Sequence, residues 1–240
     1  MLIISSTSEF YFDYSYLSFF FRWIHVLSGV MWIGLLWYFN FVQIPSMPKI
    51  PNDQKPAVSK FIAPEALFWF RWAALSTLVT GLILGHINGY LHDALTLDTS
   101  DGKNLMIGIG MWLGTIMAFN VWFVIWPNQK IVIASAQQVA EGGEALAEAA
   151  AAAPKAALAS RTNTLFSIPM LFFMGSSAHA RTVPLLDGAT TASLVAVFAI
   201  ILLLEINALK GKQGPMTSVA GVIHCGLGLT LVLWGLMKFL

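Results

Sequence analysis

The stretch "FRWIHVLSGVMWIGLLWYF", Phe21 to Phe39, decides the fold class. It is apolar over a length that crosses a bilayer, because ~20 helical residues at ~1.5 Å each span ~30 Å of hydrocarbon. Near its start stand an arginine and a histidine three residues apart, Arg22 and His25. A titratable ring in hydrocarbon is costly, so an intramembrane histidine is by default a functional candidate whose partner has to be found.

The rest of the chain has the same character. Of its 240 residues, 57% are hydrophobic and 10% charged, with a mean hydropathy of +0.72, the composition of an integral membrane protein. Nine tryptophans fit rings placed at two membrane interfaces. A net charge of +1 without any Lys/Arg block gives no reason to expect a nucleic-acid partner. The single cysteine, Cys225, excludes an internal disulfide, a CxxC site and the CxxCH attachment of a c-type heme. Any heme would therefore be held noncovalently. The first residues carry Glu9 and Asp13 and no basic residue before Arg22, unlike a signal peptide, so the N-terminus is expected to be retained.

Six apolar runs predict an all-α, polytopic membrane protein with six transmembrane helices: Ser18 to Ile44, Ala66 to Tyr90, Leu105 to Trp126, Thr164 to Ser177, Ala189 to Leu209 and Thr217 to Phe239. The fourth is the shortest and contains Pro169, which a membrane helix tolerates when neighbours satisfy the freed carbonyl. Residues 1–240 then form a single membrane domain. Lys49, Lys55, Lys60, Arg71, Lys130, Lys155, Arg161, Lys210 and Lys212 follow the odd-numbered runs, whereas Arg22, Lys103, Arg181 and Lys238 lie on the other side with Glu9, Asp13, Asp93, Asp98, Asp101 and Asp187. The basic bias predicts both termini in the periplasm or its equivalent; the location expected for the chain is a bacterial inner membrane. The Ala-rich segment 131–160 becomes a cytoplasmic helical loop, broken at Gly142-Gly143 and at Pro154.

Orientation converts position into depth. His25, His86, His92 and His179 gather at the outer level, and His224 lies near the inner one. Two outer imidazoles on two helices are what a bis-histidine b-type heme requires, with His25 and His86 as axial ligands to the iron. Arg22, at i−3 from His25, would meet a propionate, with Lys103 and Arg181 at the same margin. Gly29, Gly34, Gly81 and Gly85 would leave room for a flat macrocycle. The competing readings are a buried histidine that only packs the bundle, a helix-end histidine for His86, and a copper or zinc site from His86, His92, Asp93 and His179. His224 could pair with Glu205, structurally or as an inner proton path.

Four strings, "RWIHVLSGVMWIG" (Arg22 to Gly34), "PEALFWFRWAALSTLVTG" (Pro64 to Gly81), "GTIMAFNVWFVIWPNQK" (Gly114 to Lys130) and "SRTNTLFSIPMLFFMGSSAH" (Ser160 to His179), resemble in the same order segments of the membrane domain of bacterial cytochrome-c-linked urate hydroxylases, the urate oxidase N-terminal domain family. The first is also similar in style to membrane protoporphyrinogen oxidases and copper-resistance membrane proteins. The urate hydroxylase resemblance implies a membrane redox protein that hands electrons to a periplasmic cytochrome c. It places His25 on the family's first-span histidine, and Asn120, Pro127, Asn128, Gln129, Asn163 and Pro169 on its polar and proline positions. The family's cytochrome c domain has no counterpart in these 240 residues, Ala73 stands at an acidic position of the second-span motif, and a histidine expected near Arg161 to Asn163 is missing.

The expectation is thus an electron-transfer subunit with a b-type heme and a separate cytochrome c as partner. The alternatives are a non-redox accessory subunit in a larger membrane complex, and an oxidase of a purine-like substrate bound by Asn128, Gln129, Arg161 and Asn163.

Overall fold

The computed structural model describes residues 13–179 and 189–240. Arg181, Asp187 and Glu9, used above to weigh orientation, lie outside the described residues. Every regular element that is described is helical. The long helices are α1 (Tyr14–Trp37), α2 (Ala63–Ile87), α4 (Gly102–Phe119), α5 (Trp126–Ala140), α6 (Ala149–Ala178), α7 (Thr191–Lys210) and α8 (Val219–Phe239), with a short α3 (Leu91–Thr96) between α2 and α4.

Their starts follow from capping chemistry. Asp13 accepts the Tyr16 N–H ahead of α1, Asp101 the Lys103 N–H ahead of α4, and Ser218 the Gly221 N–H ahead of α8. Thr190 and Ser193 form a reciprocal capping box at α7. The turn after α2 uses Gly89 and the turn after α5 uses Gly142, both at positive φ, where a Cβ would be strained.

Five continuous helical stretches are long and apolar enough to cross a membrane: Tyr14–Lys49, Lys55–Ile87, Gly102–Ala140, Thr191–Lys210 and Val219–Phe239. The chain is therefore a multi-pass membrane protein by length and composition. The fourth run of the sequence reading is different. Its helix, α6, starts at Ala149 rather than Thr164 and passes through Pro154 without breaking, so the segment 131–160 is a helical hairpin made of the end of α5, a turn at Gly142-Gly143 and the beginning of α6. At that turn the Gly143 N–H returns to the Gln138 carbonyl and the Leu146 N–H to the Ser135 hydroxyl.

What sets α6 apart is its surroundings. It packs against α1, α4, α5, α7 and α8, and every residue from Leu158 to Ser167 is buried. Over that stretch the helix is sheathed by its neighbours and needs no apolar surface, so it carries Ser160, Arg161, Thr162, Asn163, Thr164 and Ser167, whereas farther on Leu171 is exposed. The helices facing outward look the reverse: Phe19, Trp23, Val26, Leu27 and Val30 of α1 are all exposed, as a lipid-facing stripe must be.

Three crossing stretches contain a widened turn: Val58–Ile62, and two others that carry a buried asparagine. In Tyr38–Gln43 the Ile44 N–H reaches back five residues to the Phe39 carbonyl, and in Asn120–Ile125 the Trp126 N–H reaches back five to Val121. Such π-turns cost regularity and concentrate at functional sites. The latter two each hold a fully buried asparagine, Asn40 and Asn120, directed at α6.

Candidate functional site

Two polar centres lie at opposite ends of the bundle. The first is His25, held between α1 and α2. Its Nδ1 stands 2.9 Å from the Thr77 carbonyl oxygen and 3.3 Å from the Thr80 hydroxyl. A carbonyl only accepts, so the proton belongs on Nδ1 and the lone pair on Nε2. Among the described residues no hydrogen bond reaches Nε2. The ring lies over Gly81, where a Cβ would come 2.9 Å from the His25 Cε1. The space that this glycine leaves is filled by the imidazole itself.

Beside it, Ser18 donates to the Asn88 side chain, and Arg22 is exposed near Tyr90. Burial pushes the Tyr90 hydroxyl above its ordinary range, and the Arg22 charge opposes that rise.

His86 is not brought to His25. It is exposed, and five residues past Gly81 it stands about 140° around α2 from the histidine contact. The facing imidazole pair expected from depth alone is not assembled, because equal depth on neighbouring helices does not fix which face a residue occupies. His92 and His224 are exposed as well. Among the described residues no group of three or more His, Cys, Asp or Glu side chains comes together, so His86, His92, Asp93 and His179 form no copper or zinc cage.

The second centre surrounds α6. Asn163 donates to the Met117 carbonyl at 2.9 Å, and Asn120 donates to Asn163 Oδ1 at 3.0 Å and to Glu205 Oε2 at 2.9 Å. On the other flank Asn40 donates to the Leu36 carbonyl and to the Ser160 hydroxyl, both at 2.9 Å, and Arg161 donates to the Asn40 carbonyl at 3.3 Å. Trp37 Nε1 donates to Ser167 at 2.9 Å. The two asparagine-bearing π-turns are thus tied to one helix: side chains of α6 take a carbonyl inside the first and one just before the second. Pairing buried polar groups this way avoids the penalty of leaving them unmatched in a low-dielectric interior.

The sequence reading found only part of this centre. Arg161 does not sit in a loop as an orientation signal but is 4% exposed inside α6. Asn128 spends its amide on the Val124 carbonyl one turn back, so the expected grouping of Asn128 with Arg161 and Asn163 is not formed through that amide. Glu205 pairs with Asn120 and not with His224. Asn40 was missed, and the missed signal was an amide inside an apolar run.

The apolar surface offers a third feature. A cavity of about 380 Å³ between α2 and the α4 helix with its π-turn is lined by Leu75, Leu78, Thr115, Ala118, Phe119, Trp122 and Phe123. It has the chemistry of a lipid tail contact, and neither polar centre contributes to its lining.

No curated protein and no solved structure matches the chain. One family does, described as urate oxidase N-terminal, over residues 95–225. That segment includes the strings Gly114 to Lys130 and Ser160 to His179 and the second polar centre except Trp37 and Asn40. The His25 pocket, with Arg22 and His86, precedes it. The match spans more than half of the 240 residues, and the chain belongs to the urate oxidase N-terminal family.

Proposed function

We propose that this chain is a membrane-embedded electron-transfer subunit of the bacterial inner membrane, holding a noncovalent b-type heme through His25 and exchanging electrons with a cytochrome c on a separate chain. The observation that carries the reading is the Nδ1–H of His25 donated to the Thr77 carbonyl. Metal-ligating histidines are oriented in this way, with one ring nitrogen fixed by a carbonyl so that the other presents its lone pair. His25 fits the role of an iron ligand. His86, turned to a different side of α2, does not fit as the nitrogen opposite.

The heme would supply a one-electron couple whose potential follows ligand identity, burial and nearby charge. The protein's own contributions are definable. Thr77 fixes the tautomer, Thr80 steadies the ring, Gly81 admits it against α2, and the exposed Arg22 one turn away offers a cation to an acidic substituent.

The topology belongs to the same proposal. With α6 as a sixth crossing, sheathed by the other helices, both termini fall on the periplasmic side and the hairpin around Gly142 is cytoplasmic. The His25 pocket then opens toward the periplasm, where a soluble cytochrome c can reach it.

The test is optical. Purified from heme-replete cells, the protein should give a reduced-minus-oxidised b-type spectrum and, once reduced, should pass electrons to added cytochrome c. A colourless protein that co-purifies with large membrane partners would favour the accessory-subunit reading instead.

A further inference from the structure

We infer that Glu205 and Asn120 form a proton-binding site inside the helix bundle, an acid–amide pair closed by one proton on Glu205. The inference stands apart from the heme proposal and uses different residues.

The amide orientations follow from one fixed point. The Met117 carbonyl can only accept, so Asn163 turns its NH2 toward it and presents Oδ1 to Asn120. Asn120 must then direct its own NH2 at that oxygen and at Glu205 Oε2, which uses both of its N–H groups. Two oxygens are left over. Asn120 Oδ1 and Glu205 Oε1 are both buried with no hydrogen-bond partner, on two residues already joined by a hydrogen bond. Asn120 itself is 0% exposed.

A single proton resolves both vacancies. Carried on Glu205 Oε1, it is donated to Asn120 Oδ1, and the carboxyl and carboxamide then exchange two hydrogen bonds in a ring. The same proton removes a negative charge that nothing compensates. From α6, Arg161 is engaged with the Asn40 carbonyl. From α8, His224 is exposed, as are Lys210 on α7, the helix of Glu205, and Lys155 on α6. Among the described residues none of them forms an ion pair with Glu205. A lone carboxylate among helices is costly, whereas the neutral acid with an amide partner is fully satisfied. Protonation here is simple addition of H+ to the carboxylate, with no other bond made or broken.

The full-length protein in lipid nanodiscs is the material for the test. Infrared titration should find at neutral pH a protonated-carboxyl C=O band that shifts in D2O and is lost in Glu205→Gln. Dicyclohexylcarbodiimide, which reacts with protonated acids in apolar surroundings, should leave an adduct that mass spectrometry maps to Glu205. Neither result should change on adding Na+ or K+. Gln can make the same two bonds to Asn120, so E205Q should remain monodisperse and keep the wild-type melting temperature to within a few degrees. An ionised Glu205 band throughout neutral pH would overturn the inference. So would an adduct suppressed by Na+ or K+, which would make this a cation site.

Discussion

The two polar centres differ in how they are held and in how visible they are. His25 is a partly buried titratable ring fixed by a backbone carbonyl, with one nitrogen left over. The centre around α6 is made mostly of amides and hydroxyls, fully buried and bonded to one another across α1, α4, α6 and α7. The first is built like a ligand, in which one atom is prepared and offered. The second is built like a clasp, in which the amide N–H groups of Asn40, Asn120 and Asn163 are spent on neighbouring oxygens. Perturbation should therefore weaken stability at the clasp and ligand binding at the histidine.

The largest stability effect is expected from Asn163→Leu. It leaves an Asn120 side-chain N–H without its acceptor and takes from the Met117 carbonyl the side-chain donor it holds beside the Asn120 backbone N–H, at about 1–3 kcal/mol for the buried N–H left unmatched. Interhelical hydrogen bonds in membranes average nearer ~0.6 kcal/mol, which sets the lower bound. Thermal unfolding in detergent measures it, and an unchanged melting temperature would show that the network is not a clasp.

Next is Gly81→Ala. The added methyl meets the His25 ring at 2.9 Å, so the ring or α2 must move, at about 1–3 kcal/mol for overpacking. Here the two centres part: G81A should lower heme retention as well as stability, and N163L only stability.

The smallest effect is at the turn before α4. The Ser100 backbone N–H, and then its hydroxyl, hold the Asp98 carboxyl below the usual carboxylate range. A depressed folded value contributes stability that is present above the unfolded range and lost as pH falls through the folded one. Asp98→Asn should therefore remove a shallow acid-side slope from the melting temperature and leave both centres untouched.

How much of this was legible in the sequence depended on what water-to-lipid transfer reveals. The lipid-facing helices announced themselves, because Phe19, Trp23 and Val30 must be apolar where they meet hydrocarbon. The innermost stretch did not, since α6 meets protein on all sides from Leu158 to Ser167 and a polar run such as Ser160 to Thr164 looks like a loop to any hydropathy reading. His25 stood out by its charge chemistry. Asn40 did not, although it is more deeply buried, because an amide in an apolar run carries no such warning. His86 shows the remaining gap: rise per residue gives depth, but the face of a helix is settled by packing, and only the fold places Gly81 rather than His86 against the ring.

Iron binding is proposed at the His25 nitrogen that the Thr77 carbonyl leaves free. The direct measurement is the pyridine hemochrome content of the purified wild type beside His25→Ala and His86→Ala, each verified as folded by size exclusion. B-type heme is expected in the wild type, with most of it retained in H86A and nearly all of it lost in H25A. Equal heme in wild type and H25A, or none in any of the three, would contradict iron binding at His25.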